Sequence, residues 1–193
     1  MWGLIVEYRW AIAIGIIVLA PVAAIAFFLL TLQLFGNFHE IIPGEYYRSA
    51  QPNPSKLDRY VSKYGIKTVL NLRGPNGKSQ WYRDEVAEAQ KLGVKFVDFR
   101  MSARKELTDA QVEQLIEILH DVPKPILVHC KSGSDRTGLV SAIYLYKIAG
   151  RSESESEKQI SFRYGHIGIP YISEAIAMDR NWERLEKSLA AGS

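Results

Sequence analysis

The sequence predicts an α/β domain, a central and mostly parallel β-sheet flanked by helices, preceded by one N-terminal transmembrane helix. Three observations carry this. Short apolar runs alternate with runs of helical period from Tyr46 to Tyr146, the pattern of strands joined by right-handed helical crossovers. The apolar run Pro125-Ile126-Leu127-Val128 passes through a Gly/Ser loop into Leu139 to Tyr146. This puts a loop and a helix start at the carboxyl end of a strand, where such sheets bind ligands. Finally, Trp10 to Phe35 contains no charged residue, and that run exceeds the ~20 residues that cross a bilayer.

Taken in order, the uncharged run comes first. A cleaved signal peptide is the competing reading, but its apolar core is usually ~7–15 residues and small residues precede the cut, where this chain has Phe27, Phe28 and Leu30. Arg9 and the amino terminus precede the run, whereas His39, Glu40 and Glu45 follow it before the next cation, Arg48. That bias favours the N-terminus inside, so in a bacterium the downstream domain is expected in the periplasm. The expected division is an anchor over residues 1–36 and one domain over 37–193.

Pro43-Gly44 turns the chain into a short aromatic run ended by Pro52, read as a turn and an edge strand. Asn53 caps a helix with Pro54 at its first position and Gly65 at its end. Ile66 to Leu72 is a strand, Ser79 to Leu92 a helix with Trp81 as a core anchor, and Val94 to Met101 a strand. Thr108 and Gln111 form a capping box for Asp109 to His120. Beyond Gly150 the chain is expected to be helical only, over Glu153 to Tyr164 and Ile172 to Leu189, with a Gly-Pro break between.

A net charge of +3 is too small to argue for nucleic acid, and the four His and the acids show no metal-ligand spacing. No cofactor is implied. Cys130 is the only cysteine, so it has no disulfide partner on its own chain and belongs to no thiolate zinc set. It opens the loop Cys130-Lys131-Ser132-Gly133-Ser134-Asp135-Arg136-Thr137-Gly138 at a helix start. Converging backbone N–H groups and the positive end of the helix dipole bind an anion there. The same field favours a thiolate over a thiol, which equips Cys130 to attack what the loop holds. Arg136 offers a planar fork to two phosphoryl oxygens. Gly133 and Gly138 allow close backbone approach, and Thr137 has a hydroxyl to donate to sulfur.

His129-Cys130, five residues, then Arg136-Thr137-Gly138 resembles the H-C-x5-R-T-G signature of the cysteine-dependent phosphatases. The resemblance implies that Cys130 is a nucleophile forming a phosphocysteine, that Arg136 clamps the phosphate, and that His129 tunes the thiolate. Tyr47-Arg48-Ser49-Ala50-Gln51-Pro52 is similar to the Y-R-S-x-Q-P entry segment of the small bacterial and plant dual-specificity-like enzymes. In that superfamily the leaving oxygen is protonated by an Asp from a loop roughly thirty residues before the cysteine. Here that loop is Ser102-Ala103-Arg104-Lys105-Glu106, with Glu106 as its acid, and Asp98 lies nearby in sequence. Asp135 is the other candidate. The string Cys130-Lys131-Ser132-Gly133-Ser134-Asp135-Arg136-Thr137 resembles the C-K-S-x-x-D-R-T loops of inositol 4-phosphatases, and some relatives place the acid within the loop. The alternative is that Asp135 pairs with Lys131 or a neighbouring cation and holds the loop.

Two enzymatic expectations follow, both with a membrane held through residues 10–35. One is a protein tyrosine or dual-specificity phosphatase acting on a phosphorylated protein. The other is a phosphatase of an anionic phospholipid or phosphoinositide, suggested by the tether, Lys131 and the Arg104-Lys105 pair. A phosphate-binding module without turnover would lack Cys130 or Arg136, and both are present.

Overall fold

The computed structural model describes residues 2–190, with side chains from Ile16 to Lys187 apart from Val18. It divides into two compact units, Met1–Phe35 and Gly36–Ser193. The first is one helix, α1 (Trp2–Phe35), with Pro21 inside it. It begins well before Trp10, where the transmembrane run was expected to start. The part of that run from Trp10 to Gly15, together with Val18, lies outside the described side chains. Among the described residues, no helix is long and apolar enough to cross a membrane.

The second unit is built from β1 (His39–Ile42), β2 (Tyr46–Ser49), α2 (Pro54–Tyr64), β3 (Thr68–Asn71), α3 (Gln80–Lys91), β4 (Lys95–Asp98), α4 (Asp109–Asp121), β5 (Ile126–His129), α5 (Asp135–Lys147), α6 (Glu153–Glu157), a 3-10 turn (Phe162–Tyr164) and α7 (Ile176–Ala190). The sheet order is β1-β2-β5-β3-β4, with β1 antiparallel to β2 and the other pairs parallel. All four residues of β2, β3 and β5 are buried, because a parallel strand between two helical layers is covered on both faces. On one face Leu70 and Val128 pack with Leu115 and Leu119 of α4, Ile143 of α5 and Trp182 of α7. On the other, Val69 and Leu127 meet Leu57 and Tyr60 of α2 and Ala89 of α3. The caps are as expected: Asn53 accepts from Lys56 N at 2.8 Å, Gly65 ends α2 at φ 66°, and Thr108 with Gln111 closes a capping box.

The structure departs from expectation in four places. The Tyr46–Ser49 strand is not at the edge, because β1 adds to it antiparallel. Trp81 is half-buried rather than a core anchor, and it carries the guanidinium of Arg73 3.4 Å above its ring. The helix expected over Glu153–Tyr164 stops at Glu157, and the Gln159 carbonyl serves Arg48 instead of a helical ladder. The last helix starts at Ile176 rather than Ile172, after turns over residues 171–175 that open on Tyr171 at φ 64°, in the left-handed region.

Candidate active site

Cys130 follows β5 directly, at the carboxyl edge of the sheet, and is 1% exposed. The loop folds back over it so that Gly133 N donates to Cys130 Sγ at 3.2 Å. Gly133 sits at φ +74°, and a Cβ there would lie 2.6–2.8 Å from backbone atoms of Ser49 and Ala50. Only glycine lets the loop rest on the end of β2. At Gly138 a Cβ would come within 2.9 Å of the Gln159 carbonyl. Ser132 and Ser134 hydroxyls meet at 2.6 Å, and the buried Thr137 hydroxyl has no hydrogen-bond partner among the described residues. Arg136, in the first turn of α5, makes among the described residues two long contacts, 3.4 Å each, to the carbonyls of Leu72 and Met101. Its fork keeps donors for a ligand.

The outer side of the loop is tied down from sequence-distant residues. Arg48, wholly buried in β2, donates to the carbonyls of Gly133 (2.9 Å) and Ser134 (3.2 Å). Asn37, at φ 44°, donates from Nδ2 to the carbonyls of Ser132 (3.0 Å) and Tyr164 (2.8 Å), while His39 Nε2 donates to its Oδ1. Behind the nucleophile, His129 Nε2 lies 2.8 Å from Glu85 Oε1, and both side chains are fully buried. Glu85 Oε2 accepts from Gln51 Nε2 (2.6 Å), whose Oε1 accepts from Arg73 (2.9 Å). This chain links the residue before Cys130 to a cation beside the site.

A cavity of about 520 Å³ opens against Arg136, lined also by Arg73, Arg100, Arg104, Lys105 and Glu106. Cations outnumber the single acid. Burial, and then the repulsion of nearby Arg136, hold the Arg73 pKa below its ordinary value.

Residues 42–170 match a family model described as DSP-PTPase phosphatase fused to NAD+ kinase. The chain belongs to that phosphatase family. Its phosphatase domains are phosphoric monoester hydrolases of the cysteine-dependent, dual-specificity and tyrosine type. Human dual specificity protein phosphatase CDC14A is 25% identical over 125 residues, 58% of this chain and 20% of that protein. The chain thus spans about a fifth of the length of the curated relatives it matches. The fold is shared with Pseudomonas aeruginosa TpbA (TM-score 0.61, 24% identity, 80% of this chain and 91% of that one). It is also shared with the catalytic core of Saccharomyces cerevisiae SIW14 (TM-score 0.59, 20% identity, 81% and 91%).

For a DSP-PTPase domain the acid is the open role, and the structure separates its three candidates. Asp98, at the end of β4, has both oxygens occupied: Oδ1 accepts from Asn71 Nδ2 (2.8 Å) and Oδ2 from Tyr82 OH (2.5 Å). Asp135, in the first turn of α5, faces His166 rather than Lys131, with Oδ1 2.8 Å from Nδ1. The other nitrogen of His166 lies 3.0 Å from Asp179 of α7. Burial opposes charging His166, but the hydrogen bonds to Asp135 and Asp179 outweigh it and raise its pKa to about 9. Asp135 therefore accepts from an imidazolium near neutral pH. Glu106 alone lines the cavity with Arg136 and has its partner, Arg184 Nε, at 3.7 Å. Sequence reasoning gave no site role to Arg48, Glu85, Asn37, His166 or Asp179. Two of them left a signal: Arg48 stands in the Tyr47–Pro52 segment that carries the resemblance, and Glu85 is an acid four residues before the buried Ala89 on one helical face.

Proposed function

We propose that this chain hydrolyses phosphomonoesters through a phosphocysteine on Cys130, as a protein tyrosine or dual-specificity type phosphatase. The supporting observation is Cys130 Sγ under the amide of Gly133, in a loop closed by a fork that only weak carbonyl contacts hold. The sulfur attacks phosphorus, the P–O bond to the leaving group breaks, and that oxygen takes a proton from an acid. Water then cleaves the S–P bond, returning the thiolate and inorganic phosphate. Arg136 and the loop amides stabilise charge on the equatorial oxygens, which is most of what phosphoryl transfer asks of a protein. Glu106, Asp135 and Asp98 remain the candidate acids, and the place of Glu106 on the cavity wall favours it.

A specific observation favours a second reading, a phospholipid, phosphoinositide or other polyanionic phosphomonoester: the four further cations around the Arg136 cavity. Among the fold's relatives TpbA has been seen in complex with pTyr, whereas SIW14 is described as a PP-IP phosphatase. Phosphate release by the full chain in detergent, measured on phosphotyrosine peptides, phosphatidylglycerophosphate and phosphoinositides, decides between them. A preference of about a hundredfold in kcat/KM, ~2.7 kcal/mol of transition-state binding, assigns the class. Cys130→Ser is expected to abolish release on every substrate, and more than about a hundredth of the parent rate would remove Cys130 from the mechanism. Anchoring through residues 10–35, with the domain periplasmic in a bacterium, belongs to the same proposal and draws on the charge pattern of the sequence.

A further inference from the structure

Arg48 is a buried cation with no carboxylate in contact, although Cys130 and Asp135 act on it from further away. Its side chain is 0% exposed, and among the described residues no carboxylate stands within ion-pair distance of it. Neutral oxygens hold it instead. NH1 donates to the carbonyl and side-chain oxygens of Gln159 (2.9 and 3.0 Å), and NH2 to the carbonyls of Gly133 and Ser134. The guanidinium lies 3.9 Å over the ring of Tyr164, and Nε has no hydrogen-bond partner among the described residues. Burying a cation this way is costly unless something nearby carries the opposite charge.

The two loop carbonyls have a geometric consequence. In a trans peptide the C=O and the following N–H point opposite ways. Drawing the oxygen of Gly133 toward Arg48 turns the N–H of Ser134 away from it, while the Ser134 oxygen is shared between Arg48 and Gly138 N (2.7 Å) at the start of α5. We propose that Arg48 is a positioning residue for phosphoryl binding: it aims the Ser134 amide at the anion and adds, from behind the loop, a positive charge that the bound phosphate completes. The charged and ionisable groups facing it are Tyr46 on its own strand, Tyr164, Asp135 and Cys130, with His39 on β1. Burial lowers the Arg48 pKa to about 10, which still leaves it charged at neutral pH. The field is felt at His39, whose pKa falls to about 4 through burial and then through Arg48 and Arg163.

This inference rests on the phosphatase reading, but its test does not need turnover. Inorganic phosphate and tungstate are titrated calorimetrically into the full chain carrying Cys130→Ser, with and without Arg48→Gln or Arg48→Lys. Arg48→Gln should weaken both anions by about 10- to 100-fold, the range of a lost charge-assisted hydrogen-bond set, and Arg48→Lys should recover part of the loss. A Gln variant that melts lower yet binds phosphate like its parent would make Arg48 a structural staple and overturn the proposal. If Arg48→Gln does not fold, Arg48→Lys takes its place, since an ammonium keeps the charge but cannot span the loop carbonyls and Gln159 as the guanidinium does. Unchanged phosphate affinity there overturns the proposal equally. Turnover surviving Cys130→Ser would instead sink the phosphatase reading and leave the anion titration standing.

Discussion

At the residue scale, the protonation of the leaving oxygen separates candidates that the loop alone does not. An acid matters in proportion to how poor the leaving group is. Removing it should slow alkyl phosphate hydrolysis by about 10²–10⁴-fold, while p-nitrophenyl phosphate, whose leaving group needs little protonation, should suffer much less. Glu106→Gln is expected to show this selective loss. Asp135→Asn is expected to slow both substrates together, because Asp135 spends an oxygen on His166 and its loss disturbs the loop. Steady-state kinetics on the two esters check this, and a selective loss in Asp135→Asn would return the role to Asp135. Cys130, Arg136 and the glycines were legible because their relation is local: a spacing of a few residues at a strand end already fixes their geometry. The roles of Arg48 and His166 were not. Arg48 meets the loop across 85 residues, and only the fold brings them together.

At the scale of elements, His166 joins α5 to α7 through Asp135 and Asp179. Its folded pKa of about 9 lies above the ordinary 6.5. The folded state therefore holds the proton more tightly, and the contribution is full below about pH 6.5 and lost as pH rises through about 9. The stability difference between the parent and His166→Gln, measured by urea unfolding from pH 6 to pH 10, should be largest at the acid end and vanish at the alkaline end. A difference that stays constant with pH would mean that the imidazolium contributes nothing. His39 has the opposite sign: its lowered pKa makes its share fade as pH falls from about 6.5 toward 4. Most elements were legible from caps and periodicity. The α6 region was not, since its helical pattern runs on past Glu157 while the Gln159 carbonyl is claimed by Arg48, a tertiary override of local propensity.

At the scale of the whole molecule, the question is what becomes of α1. Ile17, Leu19, Phe27 and Phe35 are each about two-thirds or more exposed, and water disfavours such surface by about 25 cal/mol per Å². Among the described residues no helix meets the length and apolarity of a span, so anchoring draws on the uncharged sequence from Trp10 to Phe35. A helix embedded in a bilayer resists alkaline carbonate, which strips proteins held by charge or by another protein. If α1 is an anchor, the full chain should stay with membranes through carbonate extraction, and a chain beginning at Asn37 should remain in the supernatant while keeping its p-nitrophenyl phosphate activity. Release of the full chain by carbonate would reject the anchor. Mature protein beginning after about residue 26 would show that the segment is a signal peptide. Retention joined to a preference for lipid phosphates would give the cations around Arg136 a substrate already concentrated in the plane of the membrane, where each cation near an anionic surface contributes about 1 kcal/mol.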